Sequence, residues 1–322
     1  MSASPHDPSQ AALRVEGLRK RYGRRAPWAL SDLTCHVPRG AICGLVGPNG
    51  AGKTTLYSVI SGFLPPESGT VDILGLGPFN PWTHRGRLGV LPQDASLDPR
   101  LTCREFLRYM AALQGMSAAA AREAADRSLD EVNLADRASD RISSLSHGMG
   151  RRLAAASALL GQPELVLLDE PMAGLDPVQA ASLREVLVRQ RGRSTLVVSS
   201  HNLTELERIC DWVIVLERGE LVQQGTVADV TGRGVHVGWT VGPGLESVDE
   251  GSALAELRVA LEKHTLRFEP SDDGGILHQV TPPGDDLDVS AVTIARILAR
   301  RGVAIRSVQR GRSLEESFLD RS

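Results

Sequence analysis

Short apolar runs separated by turn residues dominate the first part of the chain. Between about Leu13 and Asp72 these runs read LRVEGL, LTCHV, AICGLV and TVDIL. Pro- and Gly-containing turns lie between them, at Pro38–Gly40 and Pro65–Gly69. Since strands are typically bounded by such residues, the pattern predicts a series of β-strands.

The spacing of the apolar residues changes near Leu101. LTCREFLRYMAALQG and AAAAREAADRSLDEV carry apolar residues three and four positions apart, which predicts helices and a helical part at about 95–160. Beyond it, the apolar runs LVLLD, TLVVSS and WVIVL alternate with the helical patterns LREVLVRQR and LTELERIC. Apolar strands between helices are typical of a parallel sheet covered on both faces, so we expect an α/β fold.

The composition shifts toward Gly, Val and Thr near Val227–Asp249, which predicts a domain boundary at 230–240. Beyond it, ALAELRVALEKH and SAVTIARILARRG predict helices, while GILHQV and AIRSVQ predict strands. We therefore expect a main domain over 12–232 and a small α+β domain over 240–322. The polar start MSASPHDPSQAA predicts a disordered tail over 1–11.

Charge and cysteine content exclude some classes of protein. The net charge is -3 over 322 residues, whereas general nucleic-acid binders usually carry a basic excess. The basic run LRKRYGRR is interpreted as a solvated turn between strands rather than as an anion-binding patch. The cysteines show no metal or redox spacing, which favours reduced thiols in a cytosolic protein. The four are Cys35, Cys43, Cys103 and Cys210.

Hydropathy also bears on membrane insertion. The sequence contains no uninterrupted run of 18 apolar residues, so we do not expect the chain to span a membrane by itself. A membrane role would then require a partner.

The segment GLVGPNGAGKTTL follows an apolar strand and opens a helix, the context that a phosphate-binding loop requires. Its glycines permit backbone angles and close approaches that side chains would block. Backbone N–H groups and the helix N-terminus then bind phosphates, Lys53 reaches the β- and γ-phosphates, and the Thr54 hydroxyl binds Mg²⁺. The predicted nucleotide-binding residues are Gly47, Pro48, Asn49, Gly50, Ala51, Gly52, Lys53, Thr54 and Thr55.

Two carboxylates end the apolar run LVLLDEP. Side chains alternate along a strand, so Asp169 and Glu170 are expected to point to different places. Asp169 is a candidate Mg²⁺ ligand through water, and Glu170 is a candidate to polarise an attacking water. An acidic strand end facing solvent is the alternative, which the phosphate loop in the same sheet makes less favourable.

With these features the chain resembles the ATP-binding subunit of an ATP-binding-cassette (ABC) transporter over about 12–230. Seven segments match in the family order. They are Tyr22 in KRYG, residues 47–54, Gln93 in GVLPQD, residues 145–149 (LSHGM), residues 165–170, Asp176 in AGLDP and His201 in SSHNLTELE. The resemblance implies a P-loop NTPase fold with an antiparallel β subdomain, a parallel core sheet and a helical subdomain.

The resemblance also implies roles for these residues. Tyr22 would stack on adenine, and Gln93 would touch Mg²⁺ and the membrane partner, so the implied metal ligands are Thr54, Gln93 and Asp169. Glu170 would be the general base, His201 would link it to the γ-phosphate, and Lys53 would balance charge.

Residues 145–149 correspond to the signature segment, usually Leu-Ser-Gly-Gly-Gln. In the family two subunits enclose two ATP molecules head to tail, so Ser146 and the Gly148 N–H would meet the γ-phosphate held by the other subunit. Asp176 would communicate across that dimer. His147 and Met149 depart from the pattern, while the two expected phosphate contacts are retained. We interpret His147 as pointing away from the phosphate, with protonation near neutral pH as the alternative.

The implied function is an ATP-hydrolysing subunit that energises a membrane transporter. Its partners would be a separately encoded polytopic permease and a second ATPase subunit, in a homodimer or pseudo-dimer on the cytoplasmic face. The stretch 101–161 would meet the permease, with Glu105 and Phe106 where a coupling helix would dock.

The C-terminal run SVQRGRSLEESFLDRS resembles the closing element of daunorubicin-resistance-type exporter ATPases. An amphipathic terminal helix with Leu314, Phe318 and Leu319 is the alternative. Three other functions stay open. A soluble ABC ATPase acting on ribosomes usually has two cassettes, and a DNA-repair or chromosome-organising ATPase carries long coiled-coil insertions. An ATPase serving a membrane complex for protein maturation or gliding is the third.

Overall fold

The computed structural model describes residues 10–201, 203–232, 236–245, 252–282 and 285–311. The chain divides into two compact units, Met1–Gln224 and Gly225–Ser322. The strands are β1 (Ala11–Lys20), β2 (Leu30–Pro38), β3 (Ile42–Val46), β4 (Ser68–Ile73), β5 (Leu88–Leu91), β6 (Leu165–Leu168), β7 (Thr195–Ser199), β8 (Trp212–Glu217), β9 (Glu220–Thr226), β10 (His236–Val241), β11 (Thr265–Ser271), β12 (Gly274–Val280) and β13 (Ile305–Arg310). The α-helices are α1 (Lys53–Ile60), α2 (Cys103–Leu113), α3 (Ala118–Glu131), α4 (His147–Leu159), α5 (Pro177–Val188), α6 (Leu203–Ile209), α7 (Val227–Thr231), α8 (Ala253–Ala260) and α9 (Leu287–Arg300).

The first unit contains a three-stranded antiparallel sheet in the order β2-β1-β4. Val15 in the middle strand lies opposite Cys35 on one side and Val71 on the other. All three side chains are buried in a core that continues into β3 and β8. This shared core fixes the antiparallel sheet against the main sheet.

The main sheet has the order β5-β6-β7-β3-β8-β9, and its pairs from β5 to β8 are parallel. Every residue of β3, β6 and β7 is buried, as their uninterrupted apolar sequences predict. The carboxyl ends of parallel strands meet at one edge of the sheet. The phosphate loop after β3, the carboxylates after β6 and the serine ending β7 therefore lie together.

Helices α2, α3 and α4 form the predicted helical part. Thr102 and Glu105 make a reciprocal capping box at the start of α2, and Ser117 caps α3. A small-residue core that includes Ala111 and Ala121 lets the helices approach closely.

The docking role predicted for Phe106 does not fit this packing. Phe106 is buried, and the Glu105 carboxylate accepts a hydrogen bond from Thr102 N at 2.8 Å within the cap. The large apolar side chains that α2 exposes are Tyr109 and Leu113, which lie farther along the helix than Phe106.

The second unit is an antiparallel sheet, β11-β12-β10-β13, packed on α8 and α9 through one apolar core. The predicted helices and the strands β12 and β13 are present. β10 and β11 were not predicted, so the expected helix–strand–helix–strand order was incomplete. Residues 1–9 of the predicted tail and the C-terminal run from 312 onward lie outside the described residues.

The length and composition of these helices also bear on membrane insertion. Over the described part of the chain, none of them has the length and apolar character that a membrane span needs.

Candidate functional site

A cleft of about 420 Å³ opens at the carboxyl edge of the main sheet. It brings together most of the residues that the sequence identified as nucleotide-binding. Its lining consists of Tyr22, Ala29, Asn49, Gly50, Ala51, Gly52, Lys53, Thr54, Thr55, Gln93, Asp169 and Glu170. Ala29 also lines the cleft but was not predicted, because nothing in its sequence context indicates a nucleotide-binding role.

The phosphate loop depends on glycine for steric reasons. Gly52 precedes α1 with φ of 104°, and a Cβ there would lie 2.6 Å from Ala29 O. At Gly47 a Cβ would overlap Leu216 O. The loop therefore brings its backbone N–H groups and the start of α1 to one side of the cleft, where they can bind phosphate.

Lys53 is the cation of the site. Its Nζ donates hydrogen bonds to Gly47 O at 2.6 Å and Pro48 O at 3.2 Å. Burial lowers the pKa of Lys53, and the neighbouring Glu170 and Asp169 carboxylates partly oppose that shift. A charged ammonium that is mostly withdrawn from water interacts strongly with phosphate oxygens.

Asp169 is held by two hydroxyl groups. Thr54 Oγ1 donates to its Oδ2 at 3.0 Å, and Ser199 Oγ donates to its Oδ1 at 2.5 Å. A hydroxyl, a carboxylate and the Gln93 amide facing the same cleft are hard oxygen donors of the kind Mg²⁺ prefers. Among the described residues no group of three or more His, Cys, Asp or Glu could hold a metal ion. The hydroxyl, carboxylate and amide oxygens at this cleft fit a Mg²⁺ that takes its other ligands from phosphates and water.

Glu170 pairs with the histidine that the sequence identified. His201 Nδ1 lies 2.9 Å from Glu170 Oε2, and the ring is exposed while the carboxylate is nearly buried. Glu170 has φ of 50°, in the left-handed region, and its backbone N–H donates to Ser199 Oγ at 2.9 Å. The strained backbone thus turns Glu170 away from Asp169 and toward His201.

Ser199 was not identified from the sequence, although it is central to this arrangement. Its single hydroxyl contacts both Asp169 and the Glu170 peptide, and it is completely buried. It ends β7 and lies two residues before His201, so its position on the sheet edge was the available signal.

The aromatic residue predicted for adenine lies at the mouth of the cleft. Tyr22 is 67% exposed, and its hydroxyl is 3.0 Å from Thr55 Oγ1. Nearby, the Arg21 guanidinium lies 4.5 Å from the centre of the Trp28 ring, a contact that the sequence did not reveal.

Ser146, Gly148 and Asp176 lie outside this cleft. Ser146 Oγ accepts a hydrogen bond from Met149 N at 3.3 Å and so caps α4. Asp176 Oδ1 accepts from two backbone N–H groups and caps α5. Gly148 is buried beneath Gln179, whose Oε1 occupies the space that a Cβ would take.

His147 is exposed at the start of α4 and faces the loop before Asp176. A Cβ on Gly174 would be 3.2 Å from His147 Nε2. The ring thus lies beside the turn at Gly174.

Comparison with known proteins agrees with the geometry. The family model described as ABC transporter matches residues 30–173. The daunorubicin resistance ATP-binding protein DrrA3 of Streptomyces coeruleorubidus is 36% identical over 224 residues, 69% of this chain and 70% of that protein. The Nod factor export ATP-binding protein I of Bradyrhizobium diazoefficiens is 33% identical over 314 residues, 97% of this chain and 96% of that protein.

A solved structure of an ATP-binding subunit of an ABC transporter superposes with a TM-score of 0.62 at 31% identity, covering 78% of this chain and 99% of that one. The P-loop α/β fold predicted from the sequence is confirmed. The chain therefore belongs to the ATP-binding subunits of ABC transporters, is an ATP hydrolase, and is similar to the drug and polysaccharide exporter branch that includes the daunorubicin-resistance type.

Proposed function

We propose that this chain powers an exporter as one of two ATPase subunits on the cytoplasmic face of a membrane, bound to a separately encoded permease. The hydrolytic part of the proposal rests on one observation, the 2.9 Å contact of His201 with Glu170 beside a phosphate loop. The names of the relatives, one for daunorubicin resistance and one for Nod factor export, support an export role.

The proposed reaction uses Glu170 as the base that takes a proton from the attacking water. His201, bonded to that carboxylate, would keep it oriented and reach toward the γ-phosphate. Lys53 would exchange its loop carbonyl partners for phosphate oxygens and balance their charge. Thr54, Asp169 and Gln93 would hold Mg²⁺, which would neutralise negative charge on the phosphate oxygens.

The positions of the signature residues support the proposed dimer. Ser146 and Asp176 belong to the same chain as the cleft but are not part of its lining. Both begin helices, and a helix N-terminus attracts anions. A second copy arranged head to tail would bring its Ser146 and Gly148 to the exposed side of this cleft. ATP would then close the dimer, and hydrolysis would reopen it.

The proposed contact with the permease is an apolar surface next to Gln93. A groove of about 140 Å³ there is lined mainly by apolar atoms and includes Phe63, Val90 and Pro92. The Phe63 side chain is 74% exposed. Exposed apolar surface of this kind is typical of protein interaction sites. A coupling helix bound here would touch the same loop that carries the proposed Mg²⁺ ligand.

The proposal is tested by comparing wild type with Glu170→Gln. We expect the variant to lose turnover by at least about 100-fold, since general-base catalysis contributes about 10²–10⁴-fold. It should also accumulate as an ATP-bound dimer in size-exclusion chromatography with ATP and Mg²⁺. A variant that remains monomeric while binding ATP would contradict the sandwich. Co-purification of tagged chain with a polytopic membrane protein tests the transport role, and its failure would favour a soluble ABC ATPase.

A further inference from the structure

The signature helix α4 is tied to the ATP site of its own chain by one arginine. Arg151 lies five residues after Ser146 on this helix. Its Nη1 donates to Gln93 O at 3.0 Å, and its Nη2 donates to Glu170 O at 3.4 Å. One guanidinium therefore joins the signature helix, the Gln93 loop and the backbone of the carboxylate proposed as the base.

The Glu170 contact matters because that residue has a strained backbone. With φ of 50°, Glu170 depends on its surroundings to keep its conformation. Ser199 accepts from its N–H at 2.9 Å, and Arg151 together with Ala173 N donates to its carbonyl. The peptide groups on both sides of Glu170 are thus held by side chains, and one of these side chains comes from the signature helix.

The neighbouring Arg152 makes bonds of the same chemistry at a different place. Its Nη1 donates to Val132 O at 2.9 Å and Asn133 O at 3.4 Å, both at the end of α3. These bonds stay inside the helical part of the first unit. Two adjacent arginines on one helix therefore provide a test residue and a matched control.

We propose that Arg151 is a positioning residue that couples the two ATP sites of the dimer. Nucleotide binding to one chain moves its Gln93 and Glu170, and Arg151 transmits that movement to the start of α4. The start of α4 carries Ser146 and Gly148, which serve the ATP of the other chain. The second half of this statement rests on the proposed sandwich dimer.

Arginine chemistry explains why this residue type is needed. A planar guanidinium can donate to two carbonyls at once with fixed geometry, while a lysine ammonium is a single point charge on a flexible stem. Arg151→Lys should keep one contact at a time and lose the rigid link. Arg151→Gln should lose both the positive charge and the ability to donate to the two carbonyls at once.

Hydrogen exchange of the full chain tests the coupling without requiring turnover. Backbone amides of residues 147–152 are measured with and without the analogue AMP-PNP and Mg²⁺, at a dilution where the chain is monomeric. In wild type we expect the analogue to slow exchange there by on the order of 10-fold. Arg151→Gln should lose most of that change, Arg151→Lys part of it, and Arg152→Gln almost none. Equal analogue affinity of all four proteins, measured by titration, is required for the comparison.

Either of two results would overturn the inference. One is a wild type in which the analogue leaves exchange of 147–152 unchanged, and the other is an Arg151→Gln variant that retains the full change. If Arg152→Gln lost the analogue-induced slowing of exchange to the same extent as Arg151→Gln, the role of Arg151 would be purely structural. Because the protein is monomeric in this measurement, failure of Glu170→Gln to dimerise would refute the sandwich and leave this result unaffected.

In the dimeric protein, turnover as a function of ATP concentration provides the second readout. We expect Arg151→Gln to reduce kcat by about 10-fold, and to bring the Hill coefficient toward one. Arg152→Gln should keep the wild-type Hill coefficient. Equal Hill coefficients in wild type and Arg151→Gln would contradict coupling between the sites.

Discussion

Replacing Ser199 with alanine should damage both the stability and the chemistry of this ATPase. Its hydroxyl is completely buried, donates to Asp169 Oδ1 at 2.5 Å and accepts from Glu170 N at 2.9 Å. Leaving the Glu170 N–H buried without an acceptor costs about 1–3 kcal/mol, and a hydrogen bond to a charged group contributes about 1.5–3 kcal/mol. Since the two effects share one atom and are not additive, we expect a loss of about 2–4 kcal/mol in the free energy of unfolding.

Urea unfolding of the two proteins measures this loss, and Ser61→Ala provides the control. Ser61 is also buried, and its hydroxyl donates at 2.6 Å to the uncharged Tyr57 O. That carbonyl also accepts the Ser61 N–H, so the control should cost only about 1 kcal/mol. Turnover of Ser199→Ala should fall by on the order of 10-fold, because both carboxylates lose alignment. Equal losses of stability in Ser199→Ala and Ser61→Ala would refute this reasoning.

Three further predictions concern the phosphate loop, an ion pair and the thiols. Gly52→Ala should lower the free energy of unfolding by about 1–3 kcal/mol and abolish most ATP binding, since its Cβ would meet Ala29 O. The control Gly192→Ala has a positive φ but open space around its Cβ, so it should cost less stability and bind ATP normally in the same titration. The hydrogen bond from Arg87 lowers the pKa of Glu164, so this carboxylate stabilises the fold above its unfolded pKa of about 4.3, and that contribution disappears as the pH falls through the lowered pKa. Glu164→Gln should therefore cost under about 1 kcal/mol at neutral pH and nothing in acid, and an equal difference at both pH values in unfolding curves would be inconsistent with the pair. Burial raises the pKa of Cys35 to about 12 and the pKa of the other three thiols above the usual range. Ellman's reagent at pH 8 should therefore react slowly with all four thiols until denaturant is added. A thiol that reacts rapidly in the native protein would disprove their burial.

The sequence predicted the parts of the fold that have strong local patterns. Apolar runs such as LVLLD gave the buried parallel strands, and the phosphate loop appeared in its strand–loop–helix context. β10 and β11 were not predicted because one face of each is only partly buried or exposed and carries no large apolar side chains. In β10 that face carries Gly238 and Thr240, and in β11 it carries the charged Arg267 and Glu269. Such strands have little apolar signal, and the partners of β10 also lie far away in sequence.

The site shows the same division between local and long-range information. Motif residues such as Lys53 and Asp169 were identified because each motif is contiguous. The roles of Ser199 and Arg151 were missed because they depend on contacts with residues 29 and 58 positions away. Phe106 was placed at a docking site by the family resemblance, while only the packing of α2 shows that its side chain is buried.

The head-to-tail sandwich is tested most directly by mixing two inactive variants. Lys53→Ala disables the phosphate loop, and Ser146→Asp places a negative charge opposite the γ-phosphate while remaining a good N-cap for α4. If each site uses the loop of one chain and the signature of the other, a mixed dimer has one intact site. Equal mixing should then restore turnover, to about one quarter of the wild-type value for sites that act independently, since half of the dimers are mixed and each has one of two sites. A mixture of folded variants no more active than the average of the two alone would contradict the composite site.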